Sequence, residues 1–280
     1  MANFIPPQGL AQALVPWGTQ KAQRPLVDLL VLGFLAGAYI GFAAHLATVV
    51  GTGDFAWLGM KKLAVGAVFS LGLMLVIIPG SELWTGNTLM SVSLLQRQIS
   101  WKDMMRNWLL VYIGNLAGSL FLAWMIAGQT GILDGPIGVS AVKIAVAKVS
   151  QPVADSSHNL AYFFRAVGCN WLVCLAILLA MAAQDIGGKI LGIFFPIMAF
   201  VASGFEHAIA NMYFIPAGIF ARQWPNVQAM IEPDPTVMAS LNWSSMWIDN
   251  LLVVTLGNLV GGSIFVGGLY WLVYIRRADH

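Results

Sequence analysis

The chain has 280 residues, of which 59% are apolar and 9% charged, against about 25% charged in ordinary soluble domains, so a water-soluble globular protein is excluded. Fourteen Lys and Arg against twelve Asp and Glu leave a formal net charge of +2, scattered along the chain, which excludes a nucleic-acid binder working through a basic patch. The two cysteines, Cys169 and Cys174, sit five apart in an apolar run and furnish neither a disulfide framework nor a structural zinc site.

In chain order, residues 1–24 carry Pro6, Pro7 and Pro16, and their charges Lys21 and Arg24 follow rather than precede an apolar segment. They predict a short cytoplasmic arm lying at the membrane surface, not a signal peptide. Beyond it, stretches free of Asp, Glu, Lys and Arg cover 29–53, 63–81, 83–96, 107–133, 166–184, 190–205, 207–221 and 250–275. Crossing about 30 Å of hydrocarbon takes about 20 residues of helix, which the first, fourth, fifth and last supply alone. Residues 63–96 are interrupted only by Glu82 and residues 190–221 only by Glu206, so each pair reads as one span broken near its middle. The total is six spans in a transporter domain over 25–280. With both termini on one side, that side collects Lys21, Arg24, Arg97, Lys102, Arg106, Lys189, Arg276 and Arg277, and the positive-inside rule places both termini in the cytoplasm, in the cell's inner membrane.

The broken spans share a signature. Gly80-Ser81-Glu82-Leu83-Trp84-Thr85-Gly86-Asn87 matches Gly204-Phe205-Glu206-His207-Ala208-Ile209-Ala210-Asn211, and in the third and sixth spans Gly114-Asn115-Leu116-Ala117-Gly118 matches Gly257-Asn258-Leu259-Val260-Gly261. Three spans per half is odd, so the second half enters from the opposite face: a 3+3 inverted repeat, about 25–130 and 160–276, as in many transporters. Pro79-Gly80 ends the first half of the second span. Ser203-x-x-Glu206 reads as a capping box restarting a helix in mid-membrane. Non-helical backbone at that depth is tolerated only where it is buried in protein or lines a polar cavity, so the breaks mark the path, and restarted helix ends favour a small anion beside them.

Four histidines occur. His158 falls in a hydrophilic loop, His280 is the last residue, and His45 lies towards the end of its span. His207 sits at the restarted helix of the fifth span, where an ionisable group in the membrane is by default functional. Glu82 and Glu206 invite an acid/base or metal reading, but satisfying helix ends accounts for both. Asn87, Asn115, Asn170, Asn211 and Asn258 need partners between helices, while Asn115 and Asn258 are equally placed to face a pore. Phe69, Leu73, Leu83, Trp84 and Phe200 lie within a few turns of Thr85 or His207, as constrictions around a polar centre or as packing. Small residues crowding the first and sixth spans point to close helix approach. No P-loop is present, so this chain does not itself use ATP.

These segments resemble the formate/nitrite transporter family. The likeness runs from about residue 25 to residue 275, through Gly80–Asn87, Cys169-Asn170-Trp171-Leu172-Val173-Cys174, Gly204–Met212 and Gly257–Gly262. It implies an all-α integral membrane protein of aquaporin-like six-helix fold, a homopentamer with one pore in each protomer, and no cofactor. It also implies roles: Thr85 as the mobile loop hydroxyl, His207 as the central histidine beside Glu206, Asn258 as its sixth-span polar neighbour, Lys148 as the vestibule lysine, and Phe69, Leu73, Leu83, Trp84 and Phe200 as constrictions. The function expected is passage of small monovalent anions, formate first and nitrite or hydrosulfide behind it, with His207 linking passage to protonation. The alternatives are an aquaporin-type neutral-solute channel, for which the two Asn-Pro-Ala boxes are missing, and a membrane haem subunit, for which only His45 and His207 lie within spans.

Overall fold

The computed structural model describes residues 4–149, 158–231 and 235–276. Arg277 and His280 lie outside the described residues. Among these, the regular structure is helical, apart from one isolated bridge between Phe4 and Ala183. Helix α1 (Pro7–Gln23) precedes α2 (Leu26–Thr52), α3 (Leu58–Ile77), α4 (Trp101–Gln129), α5 (Pro136–Val149), α6 (His158–Ala182), α7 (Ile186–Ala202), α8 (Ala208–Ala221) and α9 (Trp243–Ile275). Short helical turns at Trp84–Asn87, Thr88–Met90 and Ser91–Leu95 complete the second span after its break.

Five of these helices, α2, α3, α4, α6 and α9, are long and apolar enough to cross a membrane, while α7 and α8 are shorter apolar pieces. They follow from the charge-free runs, with refinements. The second span begins at Leu58 and takes Lys61 and Lys62 into its first turns, and α5 is a helix that the charge map passes over because Lys143 and Lys148 interrupt it. His158, expected in a loop, is the first residue of α6. Pairs four residues apart, such as Leu109 with Ile113, Leu191 with Phe195 and Leu252 with Leu256, are exposed, as apolar residues on a lipid-facing stripe would be.

Helices α2 and α4 pack through glycine, as do α6 and α9. A side chain on Gly118 of α4 would run into the Phe34 carbonyl of α2, and one on Gly261 of α9 into the Val167 carbonyl of α6. Helix α1 departs from the expected surface arm. Leu10, Ala11 and Leu14 are buried, Ser93 of the restarted second span donates to the Val15 carbonyl at 2.8 Å, and the helix is built into the bundle.

Both central spans break in one way. At the end of α3 the Ser81 amide bonds back to the Val76 carbonyl at 2.9 Å with Gly80 at φ 92°. At the end of α7 the Phe205 amide bonds to the Phe200 carbonyl at 3.1 Å with Gly204 at φ 75°. This is the Schellman ending, which needs a residue free to adopt the left-handed conformation. It also removes the expected Ser203–Glu206 capping box. Ser203 is the last cap of α7, in right-handed helical conformation, and α8 starts five residues later.

Candidate functional site

The freed backbone at each break must find partners, because no water is at hand in hydrocarbon, and the two halves solve the problem with matching bonds. In the first, the Glu82 amide donates to the Leu32 carbonyl of α2 at 3.2 Å, the Glu82 carbonyl accepts from Asn115 Nδ2 at 2.8 Å, and the Trp84 amide donates to Asn115 Oδ1 at 2.9 Å. In the second, the Glu206 amide donates to the Arg165 carbonyl of α6 at 3.3 Å, the Glu206 carbonyl accepts from Asn258 Nδ2 at 2.9 Å, and the Ala208 amide donates to Asn258 Oδ1 at 2.9 Å. The second amide hydrogens go to the carbonyls of Gly33 and Ala166. Asn258 therefore commits both its amide hydrogens and its oxygen to backbone and is wholly buried. It holds the break that carries His207, and it is not among the residues lining the two mouths or the slit between them.

The carboxylates are paired as well. Glu206 accepts from Lys148 Nζ at 3.2 and 3.0 Å and from Asn211 Nδ2 at 2.6 Å. Asn211 also donates to Asn250 Oδ1, whose Nδ2 returns to the Lys148 carbonyl. Glu82 repeats the pattern with Lys21 Nζ at 2.7 Å and Asn87 Nδ2 at 2.7 Å, and Asn87 donates to Asn107 Oδ1, whose Nδ2 returns to the Lys21 carbonyl. Arg24 adds a second cation to Glu82 at 3.2 Å. Glu82 is 1% and Glu206 6% exposed, and removing either partner of so buried a pair costs about 3–5 kcal/mol. Burial lowers the Lys21 pKa, and the neighbouring Glu82 charge opposes the shift.

His207, expected beside a glutamate cap, is itself the cap of α8. Its Nδ1 accepts from the Ala210 amide at 3.0 Å. A backbone N–H only donates, so Nδ1 bears the lone pair and the hydrogen of the neutral ring sits on Nε2, which lies 2.9 Å from Thr85 Oγ1. That bond joins the two breaks. Asn170 braces it by donating to the Thr85 and Asn258 carbonyls, at 3.1 and 2.7 Å.

Cavities approach this pair from both ends. The N-terminal mouth, about 430 Å³, is lined by Lys21, Arg24, Glu82, Asn87 and Lys189 among others, and the opposite mouth, about 200 Å³, by Lys148, Glu206, Asn211 and His207 with Phe69 and Phe200. Between them lies a slit of about 10 Å³, lined by Ile40, Phe69, Leu73, Leu83, Val173, Ile197, Phe200 and His207, about the room that one water needs. His207 is the polar side chain in that lining. Phe69 meets Phe200 edge to face at 5.8 Å, and Phe200 lies 6.0 Å from the His207 ring.

Of the expected constriction residues, Phe69, Leu73, Leu83 and Phe200 line the slit. Trp84 does not; it is buried edge-on against Trp108 and Tyr112, because its amide is tied to Asn115 and the side chain leaves towards α4. Ile40, Val173 and Ile197, which sequence reasoning missed, complete the wall. Lys21 was missed as a partner of Glu82, although the Glu82/Glu206 match was a signal that both carboxylates need a cation. His45 lines none of these cavities. Among the described residues no group of three His, Cys, Asp or Glu side chains is placed to hold a metal.

Comparison with known proteins gives the context. The formate/nitrite transporter family model matches residues 8–272. A protein named as a probable formate transporter from Methanothermobacter thermautotrophicus is 44% identical, over 99% of both chains. The formate channel FocA of Escherichia coli K12 is 33% identical, over 99% of this chain and 97% of its own. A solved structure described as a pentameric formate channel with formate bound superposes with a TM-score of 0.78 at 38% identity, covering 90% of this chain and 98% of that one. Breaks, paired carboxylates and a histidine at an apolar slit stand in a chain matched along nearly its whole length, and the protein belongs to the formate/nitrite transporter family.

Proposed function

We propose that this protein is a channel for small monovalent anions, formate first, whose passage is linked to a proton through His207. The observation that carries the reading is the His207 ring, which borders both the mouth opposite the N-terminal one and the slit and lies 2.9 Å from Thr85. A bare anion in so apolar a slit pays a large desolvation cost, whereas its neutral conjugate acid pays only the smaller penalty of a polar group. The mouths supply the cations Lys21 and Lys148. The Nε2–H of His207 meets the anion at the slit, with the Thr85 hydroxyl behind it as its resting partner. A relay through the ring takes a proton at Nδ1 as Nε2 gives one up, which opens the bond from the Ala210 amide. Histidine suits this because its ordinary pKa is near 6.5.

The architecture we infer is six spans with the second and fifth broken, the second half entering from the opposite face. The matched bonds at the two breaks support the duplication. The glycine-packed bundle and the solved pentameric relative support a homopentamer with a pore in each protomer, in the inner membrane with both termini cytoplasmic, so that the N-terminal mouth faces the cytoplasm. The protein transports its substrate and does not transform it. Neither the slit's size nor its chemistry ranks formate above nitrite or hydrosulfide, and the names of the relatives favour formate.

The test is a proteoliposome assay of formate, nitrite and hydrosulfide under an imposed pH gradient, with proton and anion fluxes read together, on the wild type and on His207→Asn. We expect formate to pass best in the wild type and the variant to lose the pH dependence of formate flux across about pH 5 to 8, around the reference pKa of histidine. A folded variant with an unchanged pH profile and a shifted melting temperature would overturn the proton link and leave His207 a helix cap. A better rate for nitrite or hydrosulfide would reassign the substrate.

A further inference from the structure

The two mouths are related position by position. With the pairings Lys21/Lys148, Glu82/Glu206 and Asn87/Asn211 established by their bonds, Trp17 of the N-terminal mouth corresponds to Ile144 of the other, Ala180 to Ala47 and Ile77 to Val201, and each member lines its own mouth. Lys189 breaks the correspondence. By the spacing of 124 residues that relates Glu82 to Glu206, its counterpart is Val65, which lines the opposite mouth. Arg24 adds to the imbalance as a second cation on a carboxylate that Lys21 already holds.

The charge that results differs between the ends. Lys21, Arg24 and Lys189 face one carboxylate, Glu82, at the N-terminal mouth, a net of two positive charges, while Lys148 and Glu206 balance at the other. Donors remain unspent in the first set. Arg24 reaches Glu82 through Nε, so its terminal N–H groups, on a side chain 42% exposed, keep the paired geometry that suits a carboxylate. Lys189 donates to the Ala180 carbonyl at 2.9 Å and has two further N–H groups. The cations come from different elements, α1 with its cap Arg24 and α7, with Leu73, Val76 and Ile177 among the apolar residues of the same cavity. Its volume is about twice that of the opposite mouth.

From this asymmetry we propose that the N-terminal mouth binds short dicarboxylates, one carboxylate near Arg24 and the other near Lys189 with the methylenes on the apolar wall, and that such a dianion plugs the mouth without being carried. The plug rests on the channel reading; the binding does not. Passage is refused because a single proton delivered at His207 leaves a dicarboxylate still charged in an apolar slit.

The test uses the full-length protein and succinate as probe. Calorimetry on the detergent-solubilised channel measures binding without reference to transport, and formate flux in liposomes with succinate on both faces measures block, each variant being scored against its own flux without succinate. We expect succinate to bind and block, Lys189→Val, the residue that the twin position carries, to weaken both about tenfold as one charge-assisted bond is lost, and Lys189→Arg to retain them. Any of four results would overturn the proposal: no succinate binding, binding indifferent to Lys189→Val, block matched by chloride at equal ionic strength, or uptake of labelled succinate. Displacement by inorganic phosphate at equal concentration would overturn the dicarboxylate class. Binding without block, in a protein that carries no formate, would sink the channel reading and spare the site.

Discussion

Replacing Asn258 by leucine keeps the branching and the number of heavy atoms of the side chain and deletes every bond it makes. Three are lost, the donations to the Ala166 and Glu206 carbonyls at 2.8 and 2.9 Å and the acceptance from the Ala208 amide at 2.9 Å. Hydrogen bonds between helices in membranes contribute about 0.6 kcal/mol on average and up to about 1.7, so the loss lies between about 2 and about 5 kcal/mol. Two of the three groups, the Glu206 carbonyl and the Ala208 amide, are left at a break where no helical bond can replace the side chain, while the Ala166 carbonyl lies inside α6, so the loss falls near the middle of that range. His207 lies between Glu206 and Ala208, so the loss falls on the segment that aims the ring at Thr85, and at 1.4 kcal/mol per tenfold even about 2 kcal/mol depletes the correct arrangement some 30-fold. Thermal unfolding in mild detergent should show a fall of several degrees, and formate flux in liposomes should drop at least tenfold in protein that still assembles. Asn115→Leu, which deletes the matching three bonds at the other break, should lower the melting temperature by a similar amount. Wild-type melting and wild-type flux in Asn258→Leu would refute the reasoning, since the asparagine would then be an onlooker to the break.

Further outcomes follow from the same geometry. Thr85→Val keeps the shape and removes the hydroxyl from His207 Nε2, so formate flux should fall clearly while folding stays normal; full flux in a properly assembled variant would count against a role in binding or gating. Native mass spectrometry in mild detergent should give a mass of five chains, and a monomer or dimer that retains bound lipid would sink the ring. Gly118→Leu should disrupt the bundle, because even a Cβ there meets the Phe34 carbonyl; a variant of wild-type melting temperature would show that α2 and α4 can part at little cost.

The spans and the breaks were readable because a membrane makes both costly to disguise. A charge is tolerated in a span only for a reason, so Glu82 and Glu206 marked the interruptions, and the glycines at 80 and 204 marked the left-handed turns that the backbone adopts. What each polar residue does was less readable, because that depends on where other elements come to lie. Ser203 and Glu206 have the spacing of a cap, yet the turn at Gly204 delays α8 until Ala208 and hands the cap to His207. Asn258 has the look of a pore amide, and the backbone it must satisfy comes from α6 and from the break itself. Trp84 stands next to a slit residue in sequence and points away from the slit in space. Lys21 and Lys148 lie in helices of unlike sequence, so only the structure reveals that α1 and α5 deliver the same ion pair to the two halves.

The likeness of the two breaks bears on how one histidine ring comes to be the polar side chain of an apolar slit. The two breaks share their Schellman turns, their asparagine braces and their lysine–glutamate pairs, and these shared parts hold irregular backbone inside a membrane whatever passes through it. Two of the positions at which the breaks differ bear on the ring. Where the first break has Leu83 the second has His207, and where the second has Ile209 the first has Thr85. Had both halves carried histidine, two rings would meet across a slit of about 10 Å³, and protonating one would oppose protonating the other. Had both carried leucine, nothing in the slit would offer an anion a hydrogen. With one of each, the histidine of one half finds the threonine of the other at 2.9 Å, and the leucine keeps the opposing wall apolar, so the breaks are alike in what holds them and unlike in what they present to the slit.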